Sequence, residues 1–338
     1  MNNGSNQLLD VLTREGVLIN VSVRYWRGCK KLRPEDVGLN PDDVSDRLIS
    51  MGHKRLLPKD AMADLSLIEG RAHALIEANT FPFLSGVGHF LPNPKLEEVT
   101  QKLKDMELEF WDAKNHFLQR YAKLRRDAAQ EWRQMADKLV KDPERLLATI
   151  EASFPDPDNM SRFFSFDTQL FQITVPKKVS LEMLNLADQR AVSKAREKAA
   201  SEAAVKIRHD TERFVAESIA SLREQTAQLC DEILLSIGSG KTEGVHQKTL
   251  NRLVKFIEQF KSLNFANDSE MEEQLESVRK ELLSKTAQEY RDDATAHKQL
   301  TQGIAQLRNT ARILATQDAT ELVQRFGELG KRRLHLAA

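Results

Sequence analysis

Apolar residues recur along one stretch of the chain at Leu96, Val99, Leu103, Met106, Phe110, Ala113, Phe117, Tyr121, Leu124, Ala128, Trp132, Met135 and Leu139. From 96 to 139 this is 43 residues in twelve steps, a mean of about 3.6, the α-helical period. The spacing predicts a helix over 94–139, roughly 70 Å long at ~1.5 Å per residue. Asn93 is placed to cap it, and Pro94 falls in the first turn, where a missing N–H costs nothing. A second and longer helix is predicted over 181–237. Ala195, Ala199 and Ala203 make its middle thin enough for a partner helix to approach, and Val215, Ile219, Leu222, Leu229 and Ile233 thicken its later part. Helices of this length belong to coiled coils, arms and scaffolds more often than to compact enzymes.

The strand pattern is sparser. Residues 17–26, VLINVSVRYW, alternate, with Val17, Ile19, Val21, Val23 and Tyr25 on one face. Residues 163–175, FFSFDTQLFQITV, are rich in β-formers, and Phe171, Ile173 and Val175 alternate. The two are expected to pair, because an isolated strand leaves its backbone unsatisfied. Residues 1–8 read as a loose polar tail and 28–43 as a loop. Shorter helices are expected at 42–51, at 58–79 (stripe Leu65, Ile68, Ala72, Leu75, Ile76), at 143–153 and at 246–263 (stripe Leu250, Leu253, Ile257, Phe260, Leu263). Another begins at Ser269, whose spacing to Glu272 suits a capping box, and a last one covers 317–329. The fold class that follows is mainly α: an elongated long-helix or coiled-coil bundle with a small β element. The expected division is a head at 1–176, with the sheet and a projecting helical hairpin, and a coiled arm at 177–338.

Charge changes the picture little overall. Lys and Arg total 50, Asp and Glu total 50, and the formal net charge is zero. A chain that coats nucleic acid is expected to be basic, so any such role is confined to a local patch. The two cysteines, Cys29 and Cys230, are far apart and read as free thiols in a reducing compartment. No signal-peptide pattern opens the chain and no apolar run approaches the ~20 residues that span a bilayer. A soluble, cytoplasmic protein is expected.

The motifs that suggest chemistry weaken on inspection. Gly240-Lys241-Thr242 resembles the end of a nucleotide-binding loop, but Leu235 stands where the first glycine is required, and a helix rather than a strand precedes it. A helix-ending glycine turn fits better. The eight histidines are scattered, without metal-ligand spacing. No serine has a nucleophile-elbow pattern. Asp42-Asp43 and Asp292-Asp293 read as solvated. No catalytic residue, cofactor or metal is expected.

Two surfaces are the candidates for interaction. The segment 80–92 carries Phe81, Phe83, Leu84, Val87, Phe90 and Leu91 among prolines and glycines. Such a set either folds back into the head core or docks a partner, and Phe81, Phe83, Leu84 and Phe90 form the candidate partner-binding set. Arg120, Lys123, Arg125, Arg126 and Arg133 cluster on the first long helix, with Lys331, Arg332 and Arg333 near the C-terminus. They are either a solvated face or a phosphate-backbone contact.

Several segments, taken in order, resemble a bacterial and phage family known only as a domain of unknown function. They are VSVRYWRGCKKLRPEDVGL, GHKRLLPKDAMADLSLIEGRAHALIEANTFPFLSGVGHFLP, FLQRYAKLRRDAAQEW, RFFSFDTQLFQI and SLNFAND, between about 15 and 265. Members of that family are typically carried on phages, plasmids and integrative elements. They often lie beside a MoxR-like AAA+ ATPase, similar to the cobaltochelatase small subunit, and a von Willebrand A-domain protein. The resemblance carries over no catalytic residue. It implies a non-enzymatic helical adaptor that works with those two partners in mobile-element maintenance or phage–host conflict, and self-association fits long striped helices. The alternative is a nucleic-acid-binding accessory factor that uses the basic face around Arg125 and Arg126. An enzyme of another type would require a buried cluster of ionisable side chains.

Overall fold

The structure is a computed structural model that describes residues 3–40, 44, 50–84, 88–172, 186–238, 245–317 and 321–326. It is mainly helical, with long helices and a four-stranded antiparallel sheet in the N-terminal half. Helix α1 spans Asn3–Glu15 and runs into strand β1, Gly16–Arg24. A short ribbon follows, β2 (Cys29–Lys31) with β3 (His53–Arg55), then α2 (Ala63–Asn79) and the hairpin β4 (Phe81–Phe83) and β5 (Gly88–Pro92). Helix α3 covers Asn93–Leu139, α4 covers Pro143–Ser153, and β6 covers Ser165–Phe171. The rest is helical: α5 (Leu186–Gly238), α6 (Gln247–Leu263), α7 (Ser269–Leu282), α8 (Ala287–Asp292), α9 (Ala294–Thr316) and a turn of helix at 321–326.

The sheet order is β4-β5-β1-β6, so the two strands legible in the sequence are neighbours. Gly16 pairs with Pro92 and Ile19 with His89, while Phe81 pairs with Phe90. A Cβ on Gly16 would run into the Leu91 carbonyl and the Phe90 ring, so glycine is required where α1 turns into β1.

The contacts divide the chain into two compact units. One holds the described residues of 1–19, 79–97 and 170–338; the other holds 20–78 and 98–169. This differs from a division at 176, because β1 and α3 each belong to both units and 79–97 joins the helices far along the chain. In the first unit α9 packs along α5, and α6 and α7 pack with them. The whole stripe expected on α6 is buried. Phe83 and Phe90 meet Phe214 of α5 at 4.8 and 5.6 Å, and Phe81 and Phe90 meet Phe265 at 5.3 and 4.8 Å. Leu8, Val11 and Leu12 of α1 join this core. The segment read as a polar tail is therefore helical from Asn3. A 13-residue helix is marginal alone, and contact with α5 stabilises it.

Arg223 of α5 is buried in the same unit. Its Nε and Nη2 donate to Asp268 at 2.6 and 3.1 Å, and its Nη1 donates to the Leu314 carbonyl at 2.7 Å. Asp268 also accepts from the Met271 amide, so Asp268 caps α7 in place of Ser269. One buried ion pair therefore joins α5, the start of α7 and the end of α9, with both charges satisfied as burial requires.

In the second unit, the α3 stripe buries Val99, Leu103, Met106, Phe110, Phe117, Tyr121 and Ala128 as expected, then shifts to Ala136. Trp26, Phe154 and Phe164 surround Phe117 and Tyr121, with ring centroids 5.7 to 6.4 Å apart. The Tyr121 hydroxyl donates to the Pro155 carbonyl at 2.8 Å, and burial pushes its pKa up to about 12. Arg71 of α2 pairs with Glu109 of α3 at 2.5 Å. The 42–51 helix lies outside the described residues save 44, 50 and 51, none of them helical. Ile173 and Val175, Val87, Asp42-Asp43, the Gly240-Lys241-Thr242 turn, most of 317–329, Lys331 to Arg333 and the side chains of Ala195, Ala199 and Ala203 also lie outside what is described.

Phe90 is 1% exposed. Phe90→Ala is expected to lower unfolding stability by about 3–5 kcal/mol in a urea titration, the usual cost of emptying a buried aromatic site. A loss below ~1 kcal/mol would remove the hairpin from the core.

Candidate functional site

No acidic residue occurs from Gly16 to Pro34, nor from Ser50 to Lys59. Those segments contain Arg24, Arg27, Lys30, Lys31 and Arg33, and Lys54, Arg55 and Lys59. The β2–β3 ribbon brings them together, in the register Cys29 with Arg55, Lys30 with Lys54, and Lys31 with His53. Opposed residues share a face, so Lys31, His53 and Arg55 line one side of the ribbon. Like charges opposite one another are unfavourable. At Lys30–Lys54 the conflict is relieved: Lys54 is buried and donates to Asp36 at 2.8 Å, which also accepts from the Arg33 amide at 2.8 Å. Lys30, Lys31, His53, Arg55 and Lys59 are exposed.

Helix α3 meets this ribbon through one hydrogen bond. The Trp132 indole N–H donates to the Arg55 carbonyl at 3.0 Å. At roughly 100° per residue, Arg125, Arg126 and Arg133 fall in one sector of about 100° that begins near Trp132. Arg120 and Lys123 lie elsewhere around the helix, in a sector shared with Asp127 and Glu131. The structure therefore separates the basic set read from the sequence. Arg125 lies about 20° around the helix from Trp132, and Arg133 and Arg126 about 100° and 120°; Arg120 and Lys123 lie outside that sector, near Asp127 and Glu131. Arg125 is half-buried, its guanidinium 5.5 Å from the Phe154 ring centroid; Arg126 and Arg133 are exposed.

Beside the ribbon a cleft of about 1070 Å³ is lined by Cys29, Arg55, Lys59, Ser66 and Arg71 among apolar side chains. On its wall Arg27 binds Glu69 with two bonds, at 2.7 and 2.5 Å, and also donates to the Tyr25 hydroxyl at 2.5 Å. Tyr25 donates to Glu69 at 3.1 Å, and the guanidinium lies 4.1 Å from the Tyr25 ring centroid. The Arg27 hydrogen bonds hold the Glu69 carboxyl below its ordinary 4.5, and the same bonds raise Arg27; burial raises the Tyr25 phenol. Among the described residues, no group of three or more His, Cys, Asp and Glu side chains is placed to hold a metal ion.

The other candidate set is placed differently. Phe81, Phe83 and Phe90 are 4%, 1% and 1% exposed, and Leu84 packs half-buried against the same core. They form the interior of the first unit, so the docking role considered for them has no exposed surface to act through. The pattern of 28–43 reads as a loop, so it does not reveal the ribbon that gathers these cations. The acid-free runs were the available signal.

The fold and this surface define a mainly helical protein with a small antiparallel sheet and a local basic face. Residues 13–309 match the family described as "Protein of unknown function (DUF3150)", and the chain belongs to that family. No curated protein and no solved structure matches it.

Two predictions follow the geometry of the cleft. Burial pushes the Cys230 thiol up to about 12, whereas Cys29 is half-buried at the cleft. Ellman's reagent is expected to titrate Cys29 in the native protein and Cys230 only after denaturation; a Cys29→Ser variant that keeps native reactivity would contradict this. Because the folded pKa of Glu69 is depressed, its contribution to stability is present above the ordinary value of 4.5 and is lost as pH falls through the depressed value. The melting-temperature gap between wild type and Glu69→Gln is therefore expected at neutral pH and should close in acid. A gap that persists in strong acid would assign the effect to packing.

Proposed function

We propose that the chain is a non-enzymatic helical adaptor or scaffold in the cytoplasm. It would join a MoxR-type AAA+ ATPase and a von Willebrand A-domain protein to a target in mobile-element maintenance or phage–host conflict. The context supporting this is the resemblance to a family encoded beside such partners. The observation that carries it is at the end of α3. The stripe that buries Tyr121 and Ala128 continues at Met135 and Leu139, which are 43% and 61% exposed. A 47-residue helix thus ends with two large apolar side chains facing solvent, the kind of feature a partner helix or a second copy covers. Among the described residues no helix is long and apolar enough to cross a membrane, in keeping with the proposed location.

A nucleic-acid-binding accessory factor of a phage or integrative element is the second reading. It is favoured by the exposed guanidinium groups of Arg126 and Arg133, for which no ion pair occurs among the described residues.

The test is affinity purification of the tagged full chain from its native host, with and without ATP, followed by mass spectrometry. An AAA+ ATPase is expected in the eluate in a nucleotide-dependent manner, and Met135→Lys/Leu139→Lys should abolish its retention without lowering the melting temperature. Recovery of the chain alone would sink the adaptor reading.

A further inference from the structure

We propose that the β2–β3 ribbon and the adjoining sector of α3 form one composite surface for the phosphate backbone of nucleic acid. This rests on the second reading above and gives it a location, with residues that the α3 cluster alone does not include. Lys31 and Arg55, on one side of the ribbon, are exposed, and neither side chain meets a carboxylate among the described residues. The two segments that supply them are free of acidic residues although the chain as a whole has 50 of each sign. The neutrality of the chain is therefore reached elsewhere, and the local field here is positive.

The Trp132–Arg55 hydrogen bond makes the two elements one frame. Arg125 to Arg133 covers about 12 Å of helix at ~1.5 Å per residue. Duplex DNA presents about seven phosphates over that distance, at one per ~1.7 Å. Guanidinium groups suit the task because their fork matches two phosphate oxygens. Between Arg125 and Arg133 that sector of α3 holds no acid, with Asp137 one turn beyond Arg133, while Asp127 and Glu131 lie beside Arg120. The cations are held on a hydrogen-bonded ribbon and helix, unlike the free amphipathic helix that usually reads a membrane surface. Backbone contact of this kind is independent of base sequence.

The experiment is fluorescence anisotropy of a labelled DNA duplex with the full chain, between ~50 and ~200 mM salt. Wild type is expected to bind with a steep log–log salt slope. Lys31→Ala/Arg55→Ala should flatten that slope by about 1.8, and Arg126→Ala/Arg133→Ala also by about 1.8, at ~0.9 per lost phosphate contact. Arg120→Ala/Lys123→Ala should leave it unchanged. The Trp132 bond is to a main-chain carbonyl and survives Arg55→Ala. If that ribbon variant melts early, Lys31→Gln/Arg55→Gln serves instead, with the same flattening of about 1.8. Binding that responds to Arg120 and Lys123 but not to the ribbon would overturn the composite surface and leave the nucleic-acid reading standing. No binding at ~50 mM salt would overturn both. Binding to phosphatidylserine–phosphatidylcholine vesicles, with none to the duplex, would overturn the proposal in favour of a membrane headgroup.

Discussion

An apolar stripe on a long helix has to be covered along its length, and the rest of the chain is arranged under that constraint. A 47-residue helix and a 53-residue helix cannot cover themselves. In one unit, α3 is covered by Trp26, Phe154, Phe164 and Phe166, from other parts of the sequence. In the other, α5 is covered by α9, α6, α1 and the aromatic side chains of a small hairpin. The hairpin thereby connects sheet and helices through burial, which is the dominant favourable term in folding. Met135 and Leu139 mark where that cover ends.

Buried charge is used sparingly, and each instance does a positional task. Arg223 and Asp268 are both buried, with a bidentate geometry and a third bond to the Leu314 carbonyl. Lys54 and Asp36 are as buried and secure the ribbon to the turn at Pro34–Val37. A buried pair stabilises little in itself, but removal of one partner leaves an uncompensated charge. The two pairs therefore act more as constraints on which elements meet than as a reserve of stability.

The basic surface shows how little net charge says about a local field. The chain is neutral, yet the two segments that form the ribbon, 16–34 and 50–59, carry cations and no acid. Of the five basic residues read from the α3 sequence, helical rotation puts Arg125, Arg126 and Arg133 in one sector and Arg120 and Lys123 in another, near Asp127 and Glu131. Proximity along the sequence had grouped all five.

Periodicity alone determined the long helices, the stripe of α6, the helix at Pro143–Ser153 and the strand starting near Val17, because each carries enough repeats for one face to be unambiguous. The ends were less legible: the α3 stripe shifts to Ala136, and Asp268 caps α7 one residue before Ser269, since several residue types can cap. Tertiary structure decided what short apolar segments became. Leu8, Val11 and Leu12 are too few to declare a helix, and Phe81, Phe83 and Phe90 are compatible with a docking loop or a core hairpin until Phe214 and Phe265 are placed beside them. The candidate surface was decided in the same way. Its charges were visible in the sequence as acid-free runs, but only strand pairing and the Trp132–Arg55 bond bring residues some 80 positions apart onto one face. Local pattern determines elements because neighbours along the chain share a helix or strand; a site joins residues by contact, which that pattern does not encode.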